Sequence, residues 1–251
     1  MNDAWFVADW PVPATVRSRV TTRQGGVSGG AYASLNLGDH VGDDPAAVAE
    51  NRRRVAADLP ASPFWLSQVH GTTVLDLDRL VQTRQAPEAD AAYSRKPGVV
   101  CAVMTADCLP VLFCNQTGTV VAAAHAGWRG LHAGVLEQTV GAMACPGEQV
   151  LAWLGPAIGP DAFEVGDEVR EAFVRANNAA EAAFRALPSG SHPGKWLADL
   201  YLLARLALAR AGVTAVYGGS NCTVQDATRF YSYRRDGVTG RMASLIWLAA
   251  A

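Results

Sequence analysis

Val120-Val121-Ala122-Ala123-Ala124-His125-Ala126-Gly127-Trp128-Arg129-Gly130 is an apolar run of strand length that ends in a polar cluster flanked by glycines. Leu131 to Met143, directly after it, reads as a helix. Upstream, the apolar run Val99–Met104 ends in the same manner, in Thr105-Ala106-Asp107-Cys108-Leu109-Pro110. Strand ends are where side chains emerge from a rigid core into a cleft. Further strand runs are Val150–Leu154, Ala215–Tyr217 and Met242–Leu248. Asp43-Asp44-Pro45 opens a helix with an Asp cap and a first-turn proline; Val48, Val55 and Leu59 give it an apolar side, and Pro60 stops it. Two more helices are expected over Asp167–Asn177 and Trp196–Ala211, the second ended by Gly212. Helices and strands are interspersed without a regular βαβ rhythm, so the expected fold class is α+β with a mixed sheet. No linker divides the chain, and residues 1–251 are expected to form one domain.

Half of the 251 residues are hydrophobic and 18% are charged, enough for a sizeable core. The formal net charge is -2 and no Lys/Arg-rich run occurs, which gives no electrostatic footprint for nucleic acid. Lys96 and Lys195 are the only lysines, so nearly all positive charge is arginine. Arginine suits bidentate phosphate or carboxylate recognition, although a coding bias produces the same composition. No apolar run reaches the roughly 18–20 residues of a membrane span. Met1 to Val16 lacks the basic and apolar regions of a signal peptide. Cys101, Cys108, Cys114, Cys145 and Cys222 are odd in number and form no paired framework, so a reducing cytoplasm is expected. The glycine-rich stretch Gln24–Gly30 lacks the Lys-Ser/Thr of a phosphate loop and reads as a rim or turn.

A Gly127–Gly130 turn ahead of a helix would aim free backbone N–H groups at the cleft, where an anion is stabilised, and Arg129 sits on that turn. His70 stands in Gln68-Val69-His70-Gly71. Taken alone it fits a hydrogen-bonded structural histidine or a metal ligand, and Cys108 fits a buried thiol or a ligand. Separations of 38 residues from His70 to Cys108 and 17 from Cys108 to His125 exclude a zinc knuckle without proving a site.

An ordered motif set extends the argument. It runs through Thr21–Ser28, Ser34-Leu35-Asn36-Leu37-Gly38, Asn51-Arg52, Gln68–Gly71, Ala89-Asp90-Ala91, Thr105–Pro110 and His125–Gly130. It continues in Leu154–Gly159, Phe230-Tyr231-Ser232-Tyr233-Arg234-Arg235-Asp236 and Gly240-Arg241. The chain thereby resembles the YfiH/YlmD-type family, whose members have been labelled polyphenol oxidases, "laccase domain" proteins and purine nucleoside phosphorylases. The resemblance implies a single α+β domain of packed mixed β-sheets flanked by helices. It also implies a zinc held by His70, Cys108 and His125, with copper as the other metal the site would take. Three protein ligands leave the fourth tetrahedral position open, the mark of a catalytic zinc.

Three functions follow for comparison. The resemblance implies a purine nucleoside enzyme: phosphorolysis of adenosine, inosine and S-methyl-5′-thioadenosine to ribose 1-phosphate and free base, with adenosine deamination. Its partners would be the nucleoside and phosphate, in a monomer or small homo-oligomer. Cys108, His125, Asp107 and Arg129 are then the catalytic candidates. Arg52, Gly127, Gly130, Arg234 and Arg241 are the substrate-binding ones, the three arginines having surface ion pairs as their other reading. Trp128 and Tyr231 are candidates for stacking on the base, or simply buried aromatics. A multicopper phenol oxidase needs roughly ten imidazole ligands, against His40, His70, His125, His132 and His192 here. A Cys108-based or zinc amidase acting on peptidoglycan precursors is the third reading; it would need no phosphate.

Overall fold

The computed structural model describes residues 4–81, 85–187 and 194–250. Its centre is a six-stranded mixed sheet in the order β12-β8-β6-β7-β4-β3. These strands are β3 (Val74–Asp76), β4 (Ala91–Ser94), β6 (Leu109–Asn115), β7 (Val121–Ala126), β8 (Val150–Leu154) and β12 (Ala215–Gly218). The outer pairs β12–β8 and β3–β4 are parallel, and the inner pairs are antiparallel. A four-stranded antiparallel sheet packs on it, ordered β1 (Trp5–Phe6), β2 (Val16–Thr21), β13 (Met242–Leu248) and β5 (Cys101–Thr105).

Side chains alternate across a strand, and the two faces of β6 show what that does. Leu112 and Cys114 face Val103 and Ile246 of the four-stranded sheet. Val111 and Phe113 face the opposite way, onto Leu136 and Val140 of α3 (Val135–Ala142) and Leu203 of α5 (Leu200–Arg210). β13 repeats the device: Ile246 and Leu248 turn inward, while Leu245 and Trp247 meet Val55 of α1 (Pro45–Ala56). Helix, sheet, sheet and helices are thus stacked as layers, which is why β6, β7, β8 and β13 are buried along their whole length and largely apolar. Each fully buried large side chain contributes about 1.5–3 kcal/mol. The expected α+β architecture of packed sheets flanked by helices is the one observed.

Three local expectations change. Trp196–Ala198 is not helical but part of β11 (Lys195–Ala198), the middle of a small sheet with β9 (Glu164–Gly166) and β10 (Phe184–Ala186). Asp199 separates the two states: its carboxylate accepts from Leu202 N and so caps the start of α5. The helix expected at Leu131 begins earlier, as α2 (Trp128–Ala133), and breaks at Gly134, whose φ of 97° suits glycine alone. Leu109-Pro110 belongs to central strand β6 rather than to a polar turn. The helices expected from Asp44-Pro45 and Asp167 are present as α1 and as α4 (Asp167–Ala176). No helix among the described residues is long and apolar enough to cross a membrane.

Candidate active site and metal centre

β6 and β7 pair with Pro110 opposite His125 and Leu109 opposite Ala126. Cys108, one residue ahead of β6, is therefore brought against Gly127, just past the end of β7. Gly127 has no Cβ, and one built there would lie 2.7 Å from His70 Cδ2 and 2.9 Å from Cys108 Sγ. Only glycine lets the three elements close on one point. Gly130 serves the same end, since its Cβ would come within 3.0 Å of the Gly71 carbonyl. Gly127 and Gly130 are thus close-approach positions in and beside α2, not a turn preceding a helix. His70 and Asp107 both hold left-handed backbone, with φ of 61° and 92°. Non-glycine residues there are uncommon and concentrate at functional sites.

His70, Cys108 and His125 each offer a ligand atom, all within 4.8 Å of one another. Cys108 Sγ lies 3.7 Å from His70 Nε2, near the roughly 3.5 Å edge of a tetrahedron with bonds of about 2.0–2.3 Å. One thiolate and two imidazoles suit zinc or copper better than magnesium or calcium. His125 turns its other nitrogen away, with Nδ1 2.8 Å from Asp90 Oδ1. Such a carboxylate behind a ligating histidine is the usual outer support of a metal site. The cluster is able to hold a metal ion. Among the described residues it is the only group of three or more such side chains so arranged. His40 pairs with Asp39, and His132 Nε2 lies 3.2 Å from the Ala172 carbonyl oxygen; His192 lies outside the described residues.

Electrostatics separates Cys108 from the other thiols. Burial, with the nearby Asp78 charge adding to it, pushes Cys101 above its ordinary value, and burial is the larger cause raising Cys114 to about 12. Burial also acts upward on Cys108, but His125 and His70 outweigh it and bring the thiol down to about 6. Burial lowers His125, and the Cys108 thiolate and Asp90 carry it up to about 9. A thiolate is therefore in place at neutral pH before any metal arrives. All five cysteines are free.

The cluster opens into a cavity of about 380 Å³, within the roughly 300–1,000 Å³ of small-molecule sites. Asp107, Arg129, Arg234 and Arg241 line it. Asp107 is a buried residue at the wall of the cavity, its oxygens accepting from Thr223 Oγ1 and Arg234 N, both at 2.6 Å. Arg129 lies over the Trp128 ring at 4.5 Å. Arg234 donates to the Glu164 carbonyl, and Arg241 to those of Thr239 and Gly240. None of these three arginines has a carboxylate partner among the described residues, so their charge is left for something else. Burial lowers Arg241, opposed by the nearby Cys108 and Asp107 charges, and its guanidinium remains charged.

Other candidates fall elsewhere. Arg52 lies outside the cavity: it pairs with Asp39 at 3.3 Å and stacks on Trp65. Tyr231 is fully buried and donates to the Tyr32 carbonyl, so it does not line the cavity; Trp128 does. Tyr233, 61% exposed at the cavity rim, was not singled out. Its signal in the sequence was only its place two residues from Tyr231. Gln68 was also passed over; it clamps Met104 through both backbone groups and lines the cavity.

The chain is similar over nearly its whole length to known proteins. The family profile described as multi-copper polyphenol oxidoreductase laccase matches residues 17–249. The Pseudomonas aeruginosa protein named purine nucleoside phosphorylase is 59% identical over 246 residues, 98% of this chain and 99% of that protein. The Escherichia coli purine nucleoside phosphorylase YfiH is 58% identical, over 97% of this chain and 98% of its own. A crystal structure of a Neisseria meningitidis protein superposes with a TM-score of 0.92 at 55% identity, covering 98% of this chain and all of that one. YlmD from Geobacillus stearothermophilus superposes at 0.86 with 32% identity, covering all of this chain and 98% of that one. With the cluster, the fold and the match along almost the whole length in agreement, this chain belongs to the YfiH-type family described as multi-copper polyphenol oxidoreductase laccase.

Proposed function

We propose that this protein is a cytoplasmic, zinc-dependent purine nucleoside phosphorylase acting on adenosine, inosine and S-methyl-5′-thioadenosine, with adenosine deamination at the same site. The observation that carries the proposal is one cavity joining a His/Cys/His cluster to three arginines that, among the described residues, form no salt bridge with a carboxylate. Phosphorolysis needs both parts: a site for the phosphate dianion and a polar wall for the departing base. The names of the curated relatives support the same reading.

In the reaction, the bond from C1′ to the purine nitrogen breaks as a phosphate oxygen bonds to C1′. Arg129, Arg234 and Arg241 hold the phosphate by charge-assisted hydrogen bonds and neutralise it as it closes on the sugar. The leaving purine takes up the proton that the hydrogen phosphate gives up, and Asp107 is the carboxylate at the cavity wall to relay it. Trp128 and Tyr233 supply aromatic surface for the base. In deamination the oxygen of water bonds to C6 and the C6–N bond breaks, the 6-amino group leaving as ammonia with a proton that Asp107 carries from the water. Zinc held by His70, Cys108 and His125 would supply a Lewis acid to these steps.

A Cys108-based amidase acting on peptidoglycan precursors is the second reading, favoured by the 3.7 Å approach of Cys108 Sγ to His70 Nε2. Copper in the same cluster would give at most single-site redox chemistry. The test is incubation with adenosine, with and without phosphate, resolving adenine, inosine and hypoxanthine by chromatography. Phosphate-dependent adenine is expected. No purine product above a Cys108→Ala control overturns the assignment.

A further inference from the structure

We propose that Asp90 is the positioning residue of the metal centre, one buried carboxylate that sets two of the three ligands; this rests on the reading that the cluster holds a metal. Asp90 is completely buried. Burying a carboxylate is costly unless its lone pairs are filled, so the donors chosen to fill them are informative. Oδ2 accepts from Val69 N at 3.2 Å and Gly71 N at 2.6 Å. Oδ1 accepts from His70 N at 2.9 Å and lies 2.8 Å from His125 Nδ1. All four donors therefore belong to the ligand histidines or to the residues flanking one of them. Among the described residues, no hydrogen bond of the carboxylate goes to the rest of the fold.

Two consequences follow. Three consecutive N–H groups wrapped on one carboxylate hold the Val69–Gly71 turn in place, which maintains His70 at φ 61°, a costly conformation for a histidine. At His125 the carboxylate accepts the Nδ1 proton and leaves the Nε2 lone pair for the metal. The backbone reinforces this: His125 N donates to the Asp90 carbonyl at 2.7 Å, and Asp90 N donates to Thr73 O at 3.2 Å. Asp90 lies just ahead of β4, which pairs with β7 with Ala91 opposite Ala124. The sheet register thus delivers the carboxylate to His125, and the loop before β3 folds onto its other side.

The test compares Asp90→Asn, which preserves size, with Asp78→Asn, a carboxylate that organises a turn elsewhere through Ser94 Oγ and Arg95 N. Zinc affinity is read by competition with a chromogenic chelator, cobalt(II) loading by its thiolate charge-transfer band, and folding by thermal denaturation. The expected result is a folded Asp90→Asn protein binding zinc roughly 10–100-fold more weakly, with an altered cobalt band. Asp78→Asn should melt earlier and bind zinc as the wild type does. Wild-type affinity in folded Asp90→Asn overturns the proposal, as does an equal loss in Asp78→Asn. Should Asp90→Asn fail to fold, ¹⁵N spectra of the zinc-loaded wild type decide. A His125 ring protonated at Nδ1 is expected, and one protonated at Nε2 overturns it. A wild-type protein that takes up neither zinc nor cobalt removes the metal reading itself, and this proposal with it.

Discussion

Gly127→Ala isolates the geometry of the cluster from its chemistry. Gly127 has φ −61° and ψ 156°, which alanine adopts freely, so no backbone strain is introduced. The shorter list of unfolded conformations would by itself stabilise the protein by about 0.4–1 kcal/mol. The new methyl group, however, would stand 2.7 Å from His70 Cδ2 and 2.9 Å from Cys108 Sγ. Carbon atoms settle near 3.5 Å, so roughly 0.8 Å must be found. Overpacking of this kind costs about 1–3 kcal/mol, leaving a net loss on the order of 1–2 kcal/mol after the entropic gain. For a chain of this size that is a fall in Tm of roughly 2–8 °C. His70 gives way more readily than the strand-anchored Cys108, and a displacement near 1 Å costs on the order of 100-fold in rate. The variant should therefore be folded, depleted of metal by elemental analysis, and slow in phosphate-dependent adenine release. Gly141→Ala is the control: nothing lies within 4 Å of its Cβ in α3, so it should gain about 0.5–1 kcal/mol and keep its metal. A Gly127→Ala protein with full metal content and wild-type kcat would refute the close-packing argument.

Arg241→Met should raise KM for phosphate by tens of fold, since a hydrogen bond to a charged group contributes about 1.5–3 kcal/mol. Arg52→Met should leave that KM within a few fold; initial rates against phosphate concentration separate the two. Asp107→Asn should lower kcat by roughly 100–10,000-fold while metal content stays at the wild-type level, read on one preparation. In metal-free protein, Cys108 should react with iodoacetamide along a curve centred near pH 6. Its value is lowered to about 6, so the reactive thiolate persists at neutral pH and is lost as pH falls through that point. A midpoint near 9 would contradict the ion-pair account. Phe113→Ala, at a fully buried central-strand position, should cost about 3–5 kcal/mol in denaturant unfolding.

Much of the site was legible because its chemistry sits where apolar runs stop. Val150–Leu154 and Met242–Leu248 were readable as strands, since layers buried on both faces leave nearly continuous apolar stretches, broken here only by Ser244. Trp196–Ala198 misled because Trp, Leu and Ala continue the helical pattern of α5 without a break, and the Asp199 cap lies inside that run. Strand β6 was hidden because Leu109-Pro110 looked like the tail of a polar motif. Tyr231 and Arg52 were candidates for the substrate with a buried aromatic and a surface ion pair as their other readings, and those other readings hold. Which of several aromatic or cationic side chains faces the cavity depends on local register, and one position decides it.

The order of residues by itself determined the fold class, the capped start of α1, the place of α4, and the motif set that picks out His70, Cys108 and His125. These depend on periodicity, caps and residue identity, which are local properties. Tertiary structure alone decided that three residues up to 55 positions apart (70 to 125) share one point, that the Asp90 carboxylate bonds two of them and the neighbours of one, and that among the described residues three arginines of one cavity form no salt bridge with a carboxylate. The physical reason is that these are pairings across the sheets. The register of β6 with β7 and of β4 with β7 sets which side chains meet, and no local pattern records it.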